Sequence, residues 1–271
     1  MSYSHRYQPF QPLLTNAGRK SFGLSVQQCP AHSSLTRVVH SYLQITSSGA
    51  TPYPIMPDGT QAIFISSEAS QIGGVQTQAM DLQIHQAGDY FGIRFYPGAL
   101  RHFFNLNLSE ITGQLVDEQY FPCRYFPGLA EDIYRQADFM SRVGVCERWL
   151  LHNFAPRGTD RFDVSLDLIY QSLGTIEVNA LSKKTGMSSR HLNRLYQQHI
   201  GISTKNFAQI VRIQNASKQL FNKPDDSLEV ALALGFYDQA HFLKEYKRQL
   251  LLSPRLLYNR FMSDIYNIRV A

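Results

Sequence analysis

The sequence predicts an α+β fold in two parts. Residues 1–155 read as a β-rich, sandwich- or barrel-like domain with trailing helices. Residues 164–271 read as an all-α domain of two helix–turn–helix subdomains joined by a long helix, and 156–163 as the linker. Three observations carry this reading. Short β-rich runs broken by turn residues fill the first hundred positions. Helical periodicity takes over from Gly128 and continues beyond a breaker-rich stretch at Pro156–Asp160. Charge divides at the same place: residues 1–164 hold 12 Lys+Arg and 13 Asp+Glu, a balance of −1, and residues 165–271 hold 14 and 8, a balance of +6, giving the total of +5. A near-neutral part joined to a basic part suggests a control module attached to a polyanion-binding module.

The β-rich runs are Phe22–Gln28, Thr36–Thr46, Gln61–Ser66, Leu82–His85 and Tyr90–Tyr96, punctuated by Pro57-Asp58-Gly59, Gly73-Gly74 and Ala87-Gly88-Asp89. Strands so spaced suggest a sandwich or barrel rather than a βαβ sheet. Ile63, Phe64, Ile65, Ile93 and Phe95 are expected in its core. Pro97 then suits the first position of a helix through Phe104, and Ser109 suits the cap of a short helix through Leu115. Between Gly128 and Phe154, the residues Phe139, Val143, Cys146, Trp149 and Leu150 share one helical face, expected as core rather than as a dimer seam.

Two helix–turn–helix patterns follow. In the first, Ile176–Gly201, Val178, Ala180 and Leu181 supply the inner face of one helix. Gly186 permits the turn, Ser188 caps the next helix, and Leu192 and Leu195 face inward. Arg190, Asn193, Arg194 and Gln197 fall on the opposite face. In the second, Leu228–Leu250, Val230, Ala231 and Leu234 face inward, Gly235 turns and Asp238 caps. Phe242, Tyr246 and Leu250 then form an inner stripe, leaving Gln239, His241, Lys244, Lys247 and Arg248 on other faces. Thr204–Asn222 is long enough for one connecting helix, with Phe207, Ile210, Val211 and Leu220 inward. The recognition helices are expected at about 188–199 and 238–249. Arg and amide side chains can make bidentate contacts with guanine and adenine edges, and the surplus charge supplies salt-dependent affinity for phosphates. Any αα corner with a glycine resembles one such unit; two in tandem on a +6 segment point to DNA.

These residues carry a family resemblance. Ser188, Arg190, Leu192, Arg194, Tyr196, Gly201 and Ser203 fit the pattern S-x-R-x-L-x-R-x-[FY]-x4-G-x-S. The run V-A-L-A-L-G-F-Y-D-Q-A-H-F at Val230–Phe242, followed by Ser253, Pro254 and Tyr258, fits the second. Residues 165–262 thus resemble the DNA-binding domain of the AraC/XylS family of bacterial transcription regulators. Met56–Gly59 and Gly92–Ala99 resemble the β-rich domain that precedes it in a subset of that family. There are departures: Thr204 stands for the usual proline, Leu251 for a glycine and Asn259 for an arginine. The resemblance implies seven helices, with each recognition helix in its own major groove about one turn of DNA apart. It implies base contacts by Arg190, Asn193, Arg194, Gln239, Ala240, His241 and Lys244, Ala240 offering only an apolar contact. Phosphate contacts are expected from Gln197, Lys205, Lys247 and Arg248. Arg190 also fits a helix-pairing arginine, and His241 a residue that covers apolar surface near Phe242.

The expected function is sequence-specific transcription regulation on double-stranded DNA, without enzymatic activity or cofactor. RNA polymerase, a small-molecule effector and a second copy of the chain remain open as partners. A metal-dependent cupin enzyme is disfavoured because His5, His32, His40, His85 and His102 include no H-x-H pair. A DNA-repair role is disfavoured because Cys29, Cys123 and Cys146 form neither a zinc tetrad nor a reactive-cysteine motif. No apolar run approaches the ~20 residues that span a bilayer, so the expectation is a cytoplasmic protein with no membrane partner. Arg94 fits either an acidic ligand or a surface or interdomain salt bridge.

Overall fold

A computed structural model describes residues 7–32, 34–120, 126–156, 161–221, 223 and 225–262. Cys123, His5, positions 157–160 of the expected linker, Asn222 and 263–271 lie outside the described residues. After a 3-10 turn at Pro12–Leu14, the elements run α1 (Asn16–Ser21), β1 (Ser25–Cys29), β2 (Val39–Ser47), β3 (Thr51–Ile55), β4 (Gln61–Ile65), β5 (Ser70–Gly73), β6 (Met80–Ile84), β7 (Gly88–Phe95), β8 (Leu115–Asp117), α2 (Phe126–Tyr134), α3 (Phe139–Asn153), α4 (Arg161–Gln171), α5 (Val178–Thr185), α6 (Ser189–His199), α7 (Thr204–Leu220), α8 (Ser227–Ala233), α9 (Gln239–Leu250) and α10 (Pro254–Met262). The chain is already helical from Arg161, inside the expected linker.

The N-terminal domain is a β-sandwich backed by helices. Six antiparallel strands in the order β1-β2-β7-β4-β5-β8 form the main sheet, and β3 and β6 form a two-stranded sheet. Side chains alternate across a strand, so the main sheet has two faces, and β2 and β7 supply apolar residues to a core on each. Tyr42, Ile63, Ile65, Phe91, Ile93 and Phe95 point to one face, where Leu129 and Ile133 of α2 and Phe139, Val143, Cys146 and Leu150 of α3 cover them. Burying each such side chain contributes roughly 1.5–3 kcal/mol. The expected stripe on α3 is therefore intramolecular core. Asp138 opens that helix by accepting from the Ser141 amide at 3.0 Å. Phe64 does not join this core. One position from Ile63 and Ile65, it points to the other face, toward a cavity between the two sheets.

Several local expectations differ from the structure. Pro97 leads only into a 3-10 turn, Ala99–His102, because Gly98 takes a left-handed conformation (φ 78°) that breaks the helical path. A Cβ there would lie 2.9 Å from the Phe162 ring. The expected helix from Ser109 to Leu115 is a 3-10 turn, Leu108–Glu110, capped by Asn107 rather than Ser109. Leu115 instead begins β8, which pairs Val116 with Ile72 of β5. Strands β3, β5 and β8 were absent from the β-rich runs. β3 contains Pro52 and Pro54, tolerated because it pairs on one edge only.

The C-terminal domain has seven helices among the described residues, α4 to α10. Helix α7 divides its packing. Phe207, Ala208, Ile210 and Val211 belong to a core with Phe162, Leu181, Leu192 and Tyr196 of the first subdomain. Ile213, Ala216 and Leu220 belong to a core with Val230, Phe242, Tyr246 and Phe261 of the second. That second core continues into the sandwich through Leu13, Leu24, Leu43, Ile45, Tyr53 and Met56. The two domains are one packed body along this seam. Gln214 of α7, 2% exposed, donates to the Pro57 carbonyl and accepts from the Phe10 amide, each at 2.7 Å.

Candidate nucleic-acid interface

Each second helix of the tandem units is set by the same local chemistry. Gly186 ends α5 in the left-handed region (φ 64°), where glycine carries no Cβ penalty. The Ser188 hydroxyl then accepts from the His191 amide at 3.2 Å and starts α6. Gly235 makes the corresponding turn (φ 69°), and the Asp238 carboxylate accepts from the His241 amide at 2.7 Å to start α9. The inner faces are held by Leu192 and Tyr196, and by Phe242, Tyr246 and Leu250, all buried. Both tyrosines meet a serine: Tyr196 and Ser165 at 3.0 Å, Tyr246 and Ser217 at 3.3 Å.

The outer faces present most of the expected residues. On α6, Arg190, Arg194 and Gln197 are exposed, so Arg190 is not a buried arginine. Arg194 Nη2 lies 3.3 Å from His191 Nδ1. On α9, Gln239, Ala240, His241, Lys244, Lys247 and Arg248 are exposed, as is Lys205 in the first turn of α7. An array of guanidinium and ammonium groups on two rigid helices can hold phosphates and reach base edges.

Besides Arg194, other candidate side chains also have intramolecular partners. Asn193 is half-buried, and its Oδ1 accepts from the Thr204 amide at 3.3 Å. A proline at 204 has no N–H to give, so this bond exists because of the departure from the family pattern. Gln239 donates to the Ser227 hydroxyl of α8 at 2.7 Å. Arg248 donates to Glu245 at 2.7 Å and to Gln209 at 3.3 Å. The His241 ring meets the Phe236 ring edge-on at 5.7 Å, so it covers apolar surface at Phe236 rather than Phe242.

Two residues escaped the sequence reading. Tyr237 is 88% exposed and directly precedes the Asp238 cap. Its signal was a large aromatic outside the inner stripe. Arg212 of α7 stacks over Phe236 at 3.6 Å and donates Nε to the Leu234 carbonyl at 2.7 Å, fixing the turn before α9. Burial lowers its guanidinium from the ordinary arginine value. No short-range pattern marks an arginine one helix away from the turn it braces.

Leu251 adopts the left-handed conformation (φ 62°) at the end of α9 and donates its amide to the Lys247 carbonyl. The turn made by glycine in the family pattern is therefore kept, with a leucine in it.

Arg94 is neither a surface nor an interdomain pair. It is 6% exposed, and its guanidinium pairs with Asp58 inside the sandwich. Asp58 also accepts from Gln11 at 2.7 Å and from the amide and hydroxyl of Thr60 at 2.9 and 2.6 Å. The pair borders the cavity between the sheets, about 60 Å³, together with Leu43, Tyr53, Met56 and Phe64.

Residues 181–260 match a family described as a helix-turn-helix domain, and residues 27–117 a domain of unknown function (DUF6597). The first match spans α5 to α10 and both outer faces; the second spans the strands. Among relatives, the HTH-type transcriptional regulator MtrA of Neisseria gonorrhoeae is 35% identical over 77 residues, 28% of this chain and 26% of the relative. An uncharacterized HTH-type transcriptional regulator of Haemophilus influenzae is 33% identical over 87 residues, 32% of this chain and 29% of the relative. The chain thus spans between a quarter and a third of the length of these relatives. Among solved structures, ToxT from Vibrio cholerae aligns over 89% of this chain and 99% of its own, at 7% identity and a TM-score of 0.44, too distant to bear on function.

Proposed function

We propose that this chain, which carries an AraC-type helix–turn–helix domain at its C-terminal end, is a sequence-specific DNA-binding transcription regulator. The observation that carries the reading is the pair of N-capped helices, α6 and α9. Each is buried on its inner face and presents arginine, lysine or amide groups outward. Arg190, Arg194, His241 and Lys244 read base edges, with Asn193 and Gln239 joining if they release their partners, and Ala240 adds an apolar contact. Gln197, Lys205, Lys247 and Arg248 hold phosphates. Arg248 does so at the expense of an exposed ion pair with Glu245, the kind worth about 0–1 kcal/mol.

Control falls to the N-terminal domain. The cavity between its sheets has apolar walls and a buried arginine–aspartate pair at its edge. This is a site where a small effector could be sensed by a domain that shares a core with the reading helices. The function places the chain with its DNA, in the cytoplasm.

Selection from a pool of randomised duplexes, followed by gel shift at two salt concentrations, tests the reading. One enriched sequence bound well above competitor DNA is expected. Uniform, salt-sensitive binding with no enrichment would refute it.

A further inference from the structure

The two recognition helices belong to separate cores, joined along the chain by α7 alone. That arrangement by itself leaves the mutual placement of α6 and α9 to one helix and its side chains. The structure adds a second connection. We infer that the N-terminal domain is a gauge for half-site separation: fixed to the second subdomain, it latches the end of α6 through Gln61 and Thr112, which thereby act as positioning residues for DNA reading. This inference rests on the DNA-binding function proposed above.

The second subdomain is fixed by the shared core of Leu13, Leu24, Leu43 and Ile45 with Ile213, Leu220 and Phe261. Polar contacts add to it: Ala79 donates its amide to the Gln249 carbonyl at 2.7 Å, Gln78 donates to the Arg248 carbonyl at 3.0 Å, and Arg260 pairs with Asp81 at 2.6 Å. The last carbonyls of a helix have no partner within it. At the end of α9, the N-terminal domain supplies partners to carbonyls of that last turn.

The first subdomain shares Tyr7 and Val75 of the N-terminal domain in its core, Tyr7 stacks on Tyr170 at 4.8 Å, and Arg101 pairs with Asp163. The end of α6 itself is held by two further bonds. Thr112 Oγ1 donates to the Gly201 carbonyl at 2.6 Å, and Gln61 Nε2 donates to the Ile200 carbonyl at 3.3 Å, both just past the end of α6. Gly201 has φ 109°, and a Cβ on it would sit 2.7 Å from the Thr112 hydroxyl and 2.8 Å from the Leu108 carbonyl. The approach is therefore close, and only glycine permits it. The Val75 side chain lies 3.2 Å from the same Cβ position.

One short segment joins the two holds. Gly74 and Val75 are tied beside Thr112, through Gly74 N to Gln114 O and Gly113 N to Val75 O, each 2.9 Å. Four residues later Ala79 reaches α9. Four extended residues span at most roughly 14 Å, so this strap limits how far the ends of the two reading helices can part. One inserted base pair moves a half-site by about 3.4 Å and turns it by about a tenth of a revolution. A latched protein cannot follow that displacement; with the end of α6 released, that helix can shift against the contacts that Tyr7, Val75 and Arg101 keep with its subdomain.

The test compares the full chain with a Gln61→Ala/Thr112→Val double variant on the duplex enriched by the wild-type chain. The same duplex is also made with one base pair added or removed between half-sites. Wild type is expected to lose at least ~10-fold in affinity on either altered duplex, and the double variant no more than ~3-fold relative to its own best site. Thr112→Ser alone, which keeps the hydroxyl, is expected to behave as wild type. Thermal melting confirms that each variant is folded, and a double variant that melts out is replaced by Thr112→Val alone. A folded variant with the wild-type spacing profile, or one weakened equally on all three duplexes, overturns the gauge. A wild-type chain that enriches no duplex overturns the DNA-binding reading itself and the gauge with it.

Discussion

Gln214→Leu offers the most direct measure of how the two domains are joined. The leucine has nearly the volume of the glutamine, so no large cavity is created. What is lost is the donor to the Pro57 carbonyl and the acceptor for the Phe10 amide, both bonds 2.7 Å long. Gln214 is 2% exposed, so water cannot readily replace either bond. An unsatisfied buried polar group costs about 1–3 kcal/mol. Two such groups, with part of the loss relieved by movement of the half-exposed N-terminal segment, set an expectation of roughly 2–5 kcal/mol. In a chain of this size, each kcal/mol lowers the melting temperature by about 2–4 °C. Urea unfolding followed by tryptophan fluorescence and by far-ultraviolet circular dichroism gives both the loss and its cooperativity. The sole tryptophan, Trp149, sits on α3 against the N-terminal core, whereas the dichroism is dominated by the C-terminal helices. Wild type is expected to show coincident transitions, and the variant to show the loss with the two probes beginning to separate. A change below about 0.5 kcal/mol, the scale of an ordinary surface substitution, would refute the claim that Gln214 ties the domains.

Other outcomes follow from the same structure. Arg194→Ala should cost about 1–3 kcal/mol of binding on the selected duplex and relax selectivity in one half of it; equal loss on all sequences makes it a phosphate contact. Lys247→Ala should weaken binding evenly and reduce the slope of log affinity against log salt by about one, and an unchanged slope removes it from the phosphate set. Leu251→Gly should raise stability by up to about 1 kcal/mol, because a left-handed non-glycine residue costs roughly 1–2 kcal/mol and glycine returns part of that in unfolded-chain entropy. A lower melting temperature would show that the leucine side chain packs usefully. Burial first, and the Arg94 guanidinium second, hold the His40 imidazole down at about 4. The unfolded chain takes up a proton near pH 6.5 while the folded one does not, so stability present above that pH declines toward pH 4. His40→Gln should flatten the decline, and parallel pH profiles would exclude His40 as its source.

The helix–turn–helix units were legible because their determinants are local. Cap, glycine and inner stripe of each unit fall within some two dozen consecutive residues, and every one of Ser188, Gly186, Asp238, Gly235, Phe242, Tyr246 and Leu250 takes its expected place. Strand β8 was not legible because pairing across some forty residues decides it, as Val116 with Ile72 shows; β5, a short Ser-Gln-Ile-Gly strand, is set by its hairpin with β4 and lacks an apolar run of its own. Phe64 was assigned to the wrong face because composition marks an apolar run without its register. Among the reading candidates, residue type picked out side chains that are mostly exposed and missed the intramolecular partners some of them have. Asn193 and Gln239 are amides able to read adenine, yet each has a partner on a neighbouring element, and neither partner adjoins it in sequence. Nothing local in the sequence marks Gln214, and only the sandwich lying over α7 makes it a buried connector.

The core that runs from the sandwich into the second subdomain bears on how the chain can be divided. The stretches that match families end at 117 and begin at 181, which invites a cut between them and use of the C-terminal piece as a portable reader. Ile213, Leu220, Phe221 and Phe261 rest on Leu13, Leu24, Leu43 and Ile45, so that cut strips one side of the second subdomain and leaves its greasy seam in water. The inherited unit and the folding unit have different borders here. A fusion or truncation drawn along the former would yield a fragment prone to clump, whereas the two pieces made together in one cell should find each other again.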